Sequence, residues 1–141
     1  AYAQSIGIAE TDPSGDVDGW DAAVKISALA TVLMGVPLKP AQVDRKGIRE
    51  ITSEMISAAK AQGGRWKLVC SAVCQGDRVQ ATVRPEIVMA DSPMYRVDGT
   101  TSILQIESDV LGLLSVIEEN PGPHTTAYGL LADFINAVRI H

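Results

Sequence analysis

Trp66-Lys67-Leu68-Val69-Cys70-Ser71-Ala72-Val73-Cys74-Gln75-Gly76-Asp77-Arg78-Val79-Gln80-Ala81-Thr82-Val83-Arg84-Pro85 is the stretch on which the fold turns. Trp66, Leu68, Cys70, Ala72 and Cys74 alternate with Lys67, Val69, Ser71 and Val73. That period of two sends successive side chains to opposite faces of a strand. Gln75-Gly76-Asp77 supplies a turn, and Val79, Ala81 and Val83 then alternate with Arg78, Gln80, Thr82 and Arg84. Pro85 has no N–H to give a ladder and is expected to stop the second strand. The stretch therefore reads as a β-hairpin.

Outward from the hairpin the period becomes helical. Upstream, Thr52-Ser53 is a capping signal, and Ser53 with Glu54 in the first turn starts a helix that Gly63-Gly64 ends. Met55, Ile56 and Ala59 lie on one side of it. Pro40-Ala41-Gln42-Val43 reads as a single helical turn. Downstream, two more strands are expected at Thr101 to Glu107 and Gly112 to Glu118, joined near Ser108-Asp109. A last helix starts at Pro123, a favoured first-turn residue. Its Ala127, Leu130, Leu131, Phe134, Ile135 and Val138 fall at helical spacing, an amphipathic helix whose leucines are expected in the core. The sum is an α+β domain spanning residues 1–141: two layers, a mostly antiparallel sheet of about four strands, helices packed on one face.

Residues 1–7 read as the tail of a helix closed by Gly7. Then comes Glu10-Thr11-Asp12-Pro13-Ser14-Gly15-Asp16-Val17-Asp18-Gly19-Trp20-Asp21-Ala22-Ala23-Val24-Lys25, in which five carboxylates precede the first base. Asp18 is the N-cap candidate, with Asp21 at the third helical position. The helix runs from Trp20 to Met34 and stops at Gly35, with Pro37 and Pro40 beyond. Ala22, Ala23, Val24, Ile26, Ala28, Leu29, Ala30, Val32, Leu33 and Met34 leave it no polar face, so it is expected to be buried. Asp21 and Lys25 stand one turn apart on the same side, an acid and a base at the mouth of that helix. From residue types alone, a functional site and a plain helix cap with a surface ion pair both remain open. A calcium loop is not: counted from Asp16, the glycine position holds Asp21 and the bidentate glutamate position holds Ser27.

The chain has 141 residues, 46% hydrophobic and 21% charged, with a formal net charge of −5. That is an ordinary globular balance, and the acidic excess argues against a nucleic-acid partner. Neither a signal peptide nor a membrane span is expected, since the apolar run from Ala22 to Val36 is short of the ~20 residues a span needs and carries Lys25. Cys70 and Cys74, at roughly 13 Å apart along one strand face, cannot bridge, and free buried thiols fit a cytoplasmic compartment. No metal-ligand spacing, GxGxxG or P-loop occurs. His124 reads as a surface or capping residue. Gly122-Pro123 could approach an anion through free amides, though a helix entry is weak support.

At Glu10, Asp12, Pro13, Asp16, Gly19, Asp21 and Lys25 the sequence resembles the homoserine dehydrogenase family, whose substrate domain carries a stretch of the form E-x-D-P-x-x-D-x-x-G-x-D-x-x-x-K. The similarity continues through the apolar helix, Gly47-Ile48, Trp66-Lys67-Leu68-Val69, Val83-Arg84-Pro85 and Thr126-Ala127. The resemblance implies an oxidoreductase that interconverts aspartate semialdehyde and homoserine with NADP or NAD, on the route to threonine and methionine. It implies a homodimer, Lys25 as the catalytic lysine that protonates or polarises the substrate oxygen, and Asp21 on the substrate hydroxyl. Glu10 would hold the substrate ammonium, Asp16 would shape the pocket, and Gly122 would contact the cofactor. The family's nucleotide-binding half is not in this chain, so the isolated chain is expected to be inactive. The family's GPGAG segment stands here as Glu118-Glu119-Asn120-Pro121-Gly122, which places two acids where a phosphate would come near, and Thr101-Ser102 replaces its Asn-Ala pair. Two rival readings follow: an oxidoreductase of this architecture for another hydroxy substrate, or a non-catalytic dimerisation or ligand-sensing module.

Overall fold

A computed structural model describes residues 11–139, and the chain divides into two compact units, Ala1–Ala90 and Asp91–His141. The expected helix over residues 1–7 lies outside the described residues.

The first unit is built on the hairpin of β2 (Gly64–Gln75) and β3 (Arg78–Met89), which pair antiparallel with Trp66 opposite Ile87 and Cys70 opposite Val83. A two-residue strand, β1 (Asp44–Arg45), adds in parallel on the far edge of β3, with Arg45 opposite Val83. Pro85 does not end β3, contrary to expectation. The Val83 carbonyl accepts from the Lys46 N–H on the β1 side. Pro85, two residues on, faces that same side beyond the end of β1, where no ladder bond is lost.

Helices α2 (Trp20–Met34) and α3 (Ser53–Ala61) both cover the face that carries Trp66, Leu68, Cys70 and Ala72. Ala23 and Ile26 of α2 pack with Val43, Ala81 and Val83, and Val83 is fully buried. Gly35, at φ 68°, closes α2. The Thr31 hydroxyl then ties the returning chain by accepting from the Leu38 N–H at 3.1 Å. Thr52 caps α3 by accepting from Met55 N–H at 3.3 Å, and the Trp66 indole donates to the Met55 carbonyl at 3.2 Å. The expected turn at Pro40 is a 3-10 turn over Pro40–Gln42.

Helix α2 has the expected bounds but not the expected burial. Its buried stripe is Ala23, Ile26, Ser27 and Ala30, while Val24, Val32 and Leu33 are exposed. An apolar composition all round does not enclose a helix that meets one sheet on one side.

The second unit holds a 3-10 turn at Pro93–Arg96, the antiparallel hairpin of β4 (Ser102–Ser108) and β5 (Gly112–Glu118), and α4 (Pro123–Arg139). Gln105 donates to Ser115 across the pair at 3.0 Å, and Ser108 accepts from Leu111 N–H in the turn. The apolar stripe of α4 forms as expected but is not core: Leu130, Leu131 and Phe134 are all more than half exposed. Spacing reports an apolar stripe and not what covers it.

The class is α+β, as expected. The four long strands sit where the sequence placed them, although among the described residues they belong to two sheets, ordered β1-β3-β2 and β4-β5. Both cysteines are free. Cys70 is half-buried, but Cys74 is exposed, which corrects the expectation of two buried thiols. Among the described residues no helix is long and apolar enough to cross a membrane.

Candidate active site

The acidic stretch is more ordered than a loop. Asp12 accepts the Ser14 N–H at 3.0 Å and so starts a one-turn helix, α1 (Ser14–Val17), with Asp16 exposed on it. That bond holds the Asp12 carboxyl below the usual carboxylate range. Asp18 closes α1 rather than capping α2, which corrects the sequence expectation. The residue before α2 is Gly19, at φ 76°, with no side-chain cap. A left-handed turn is needed here, and Cβ at Gly19 would sit 3.2 Å from Val83 Cγ1.

Asp21 and Lys25 come together as the sequence indicated. Lys25 Nζ lies 2.7 Å from Asp21 Oδ2. Their burial is the reverse of the expectation, since the Lys25 side chain is 72% exposed and that of Asp21 49%. At ~100° per residue the pair lies on a flank away from the Ala23–Ile26–Ala30 stripe, so α2 can bury its core face while keeping this flank open. As structure alone, such an i,i+4 pair contributes roughly 0.3–0.5 kcal/mol. Burial pushes the Cys70 thiol up. Lys25 pulls it down by less, and Asp21 adds to the rise.

Glu10 lies outside the described residues. Of the candidate residues described, Asp16 stands exposed on α1, and Asp21 and Lys25 are paired on α2. Carboxylates suit a cationic amino group, and a fixed ammonium suits an oxygen that gains negative charge. Among the described residues no group of acids, histidines and cysteines has metal-binding geometry.

Gly122 sits in the second unit. A Cβ there would meet the His124 imidazole at 2.7 Å, and the Gly122 carbonyl already accepts from the Thr125 N–H at 2.9 Å and the Thr125 hydroxyl at 2.6 Å. Asn120, just upstream, adopts φ 52°. The His124 imidazole lies beside the glycine, and Glu118 and Glu119 precede it in sequence.

Sequence reasoning missed the residues that hold the acidic segment. Arg49 pairs with Asp18 through Nε to Oδ1 and through Nη2 to Oδ2, the latter at 2.9 Å. Arg45 donates to the Asp18 carbonyl and lies 3.8 Å over the Trp20 ring. Ile48 N–H donates to the Val17 carbonyl at 2.8 Å. Asp18, Arg45, Lys46, Gly47, Arg49 and Glu50 line a pocket of about 120 Å³, and Asp16, Asp21 and Lys25 stand outside it. A signal was present in the sequence: Arg45-Lys46-Gly47-Ile48-Arg49 carries three bases, and the stretch from Glu10 to Asp21 carries five acids.

The first unit is an α+β sheet-and-helix unit that presents an exposed acid–lysine pair on α2. The profile of the homoserine dehydrogenase family matches residues 1–135, so the chain belongs to the homoserine dehydrogenase family. It is 33% identical over 137 residues to the NAD(+)-dependent homoserine dehydrogenase of Pseudomonas canavaninivorans, covering 96% of this chain and 39% of that protein. Against homoserine dehydrogenase of Methanocaldococcus jannaschii it is 37% identical over 134 residues, covering 95% and 38%. Among solved structures, homoserine dehydrogenase from Thiobacillus denitrificans superposes with a TM-score of 0.89 at 28% identity, over 99% of this chain and 32% of that one. The S. aureus enzyme gives 0.86 at 26% identity, over 97% and 34%. The chain thus spans between about a third and two-fifths of the length of these relatives.

Proposed function

We propose that residues 1–141 form the substrate-binding and dimerisation domain of an NAD(P)-dependent oxidoreductase that interconverts aspartate semialdehyde and homoserine in the cytoplasm, serving threonine and methionine synthesis. The carrying observation is the Lys25–Asp21 pair, 2.7 Å apart and open to solvent, on a chain of this family.

In this reading Lys25 aims its ammonium at the substrate oxygen, stabilising negative charge on the way to the semialdehyde carbonyl's reduction and handing over a proton. Asp21 holds Lys25 in place and accepts from the substrate hydroxyl. Glu10 binds the substrate ammonium, and Asp16 adds negative potential to the same pocket. The nicotinamide supplies or takes the hydride when bound, held by a nucleotide-binding half outside this chain, and the isolated chain is inactive. Gly122 as a cofactor contact rests on the resemblance alone, and no step here depends on it.

The test is homoserine oxidation by the full-length protein and by its Lys25→Ala variant. A fall in kcat of about 100-fold or more, with the fold kept, supports the reading. Unchanged turnover removes Lys25 from the mechanism. Oxidation of a different hydroxy compound, with homoserine ignored, moves the substrate assignment elsewhere.

A further inference from the structure

Outside the proposed catalytic groups, residues 45–49 grip the joint between α1 and α2 with two arginines. We infer that Arg49 is a positioning residue for the substrate site, acting through Asp18 to fix the angle between α1, which carries Asp16, and α2, which carries Asp21 and Lys25. The inference rests on the proposed role of Lys25 and deepens it.

Only Asp18 and Gly19 separate Val17, which ends α1, from Trp20, which starts α2. Gly19 is left-handed and no side chain caps the helix that follows, so the joint is held locally by backbone bonds alone, Asp18 N–H to the Ser14 carbonyl and Gly19 N–H to the Asp16 carbonyl. One distant segment adds to these bonds. Gly47 approaches so closely that a Cβ on it would stand 2.6 Å from Asp18 Cα. Ile48 holds the Val17 carbonyl and Arg45 the Asp18 carbonyl. That segment is itself fixed to the sheet, since Arg45 pairs with Val83 and Lys46 N–H donates to the Val83 carbonyl at 2.8 Å.

Arg45 and Gly47 act on backbone and packing, so their loss would disturb the fold. Arg49 differs. Its side chain is 62% exposed and its polar contacts are with the Asp18 carboxylate. A guanidinium fork fixes orientation as well as distance. Both Asp18 oxygens are engaged by Arg49, and Lys25 has Asp21 as its partner. Asp18 thus serves as a handle by which Arg49 sets the geometry of its neighbours.

The test is steady-state homoserine oxidation by the full-length protein and its variants. Arg49→Met is expected to lower kcat/KM about tenfold, mainly as a raised homoserine KM, because small misplacements of binding groups are costly. Its thermal midpoint should stay within about 2 °C of the parent, as for loss of an exposed pair. Arg49→Lys keeps the charge without the fork and should recover less than half of the loss. Asp18→Asn should reproduce the defect, and the double variant should be no worse than either single one. An unchanged KM in Arg49→Met, multiplicative losses in the double variant, or a midpoint drop beyond about 5 °C would each overturn the inference. Lys25→Ala is measured alongside. If it is inactive while Arg49→Met is normal, only the positioning role fails; if it is fully active, the catalytic reading fails and the positioning role falls with it.

Discussion

Arg49 meets both carboxylate oxygens of Asp18, a residue 31 positions earlier in the chain, with Nη2 at 2.9 Å from Oδ2. The pair joins the segment after β1 to the turn between α1 and α2. The acidic stretch is therefore not a free loop that a ligand must organise. Asp12 starts it, Asp18 is tethered, and Asp21 already holds Lys25.

That tether has a pH signature. The side-chain hydrogen bond from Arg49 holds the Asp18 carboxyl below the usual carboxylate range, and the Arg49 guanidinium is raised in turn by Asp18. A carboxyl lowered in the folded state contributes stability that is complete above its unfolded value and is lost as the pH falls through the folded one. An NMR titration of the side-chain carboxyls should show Asp18 inflecting below the ordinary aspartate value. In Arg49→Met that inflection should rise toward normal, while Asp12, lowered chiefly by its Ser14 bond, moves less. An Asp18 inflection indifferent to Arg49 would contradict the tether.

Gly47 should tolerate no side chain. Its Cβ position lies 2.6 Å from Asp18 Cα, and backbone on that side cannot swing away as a flexible side chain can. Gly47→Ala is expected to cost about 2 kcal/mol or more by denaturant unfolding. Gly15, with nothing within 4 Å of its Cβ position, is the control and should change stability by less than about 0.5 kcal/mol when replaced by alanine.

Val83 joins the core to the site's support. It is fully buried, stands opposite Cys70 and Arg45, and lies against Gly19. Val83→Ala should destabilise the chain by about 2 kcal/mol, read as a lower denaturation midpoint with an unchanged slope.

The two thiols should separate by rate. Burial raises the Cys70 thiol, which is only partly exposed, whereas Cys74 is exposed near the hairpin turn. At pH 8 an alkylating reagent should label Cys74 about tenfold faster or more, with mass spectrometry locating the label. Equal rates would mean that Cys70 is more open than the packing against α2 implies.

Asp21→Asn leaves Lys25 without its anionic partner on an exposed flank. Stability should move by less than about 0.5 kcal/mol, because the pair is an exposed i,i+4 contact. Homoserine turnover by the full-length protein should nevertheless fall by about tenfold or more, since the orientation of the ammonium is what the pair supplies. Equal effects on stability and turnover would reduce the pair to scaffolding.

The sequence by itself determined whatever depends on neighbours a few residues apart. The period of two in Trp66–Arg84 made the long hairpin, the glycines and prolines beyond Met34 ended α2, and four-residue spacing set Lys25 on Asp21. The family motif is local too, which is why it could be read directly. Tertiary structure alone decided burial and bracing. The apolar residues of α2 implied an enclosed helix, yet one sheet can cover only one side, so the flank bearing Asp21 and Lys25 stayed open. Pro85 continued its strand because β1 is too short to ask for its missing N–H. Asp18 turned from helix cap to tether because Arg49, distant in sequence, is brought beside it by the pairing of β1 with β3. Spacing fixes which residues share a face, whereas which face meets water depends on what else the chain packs there.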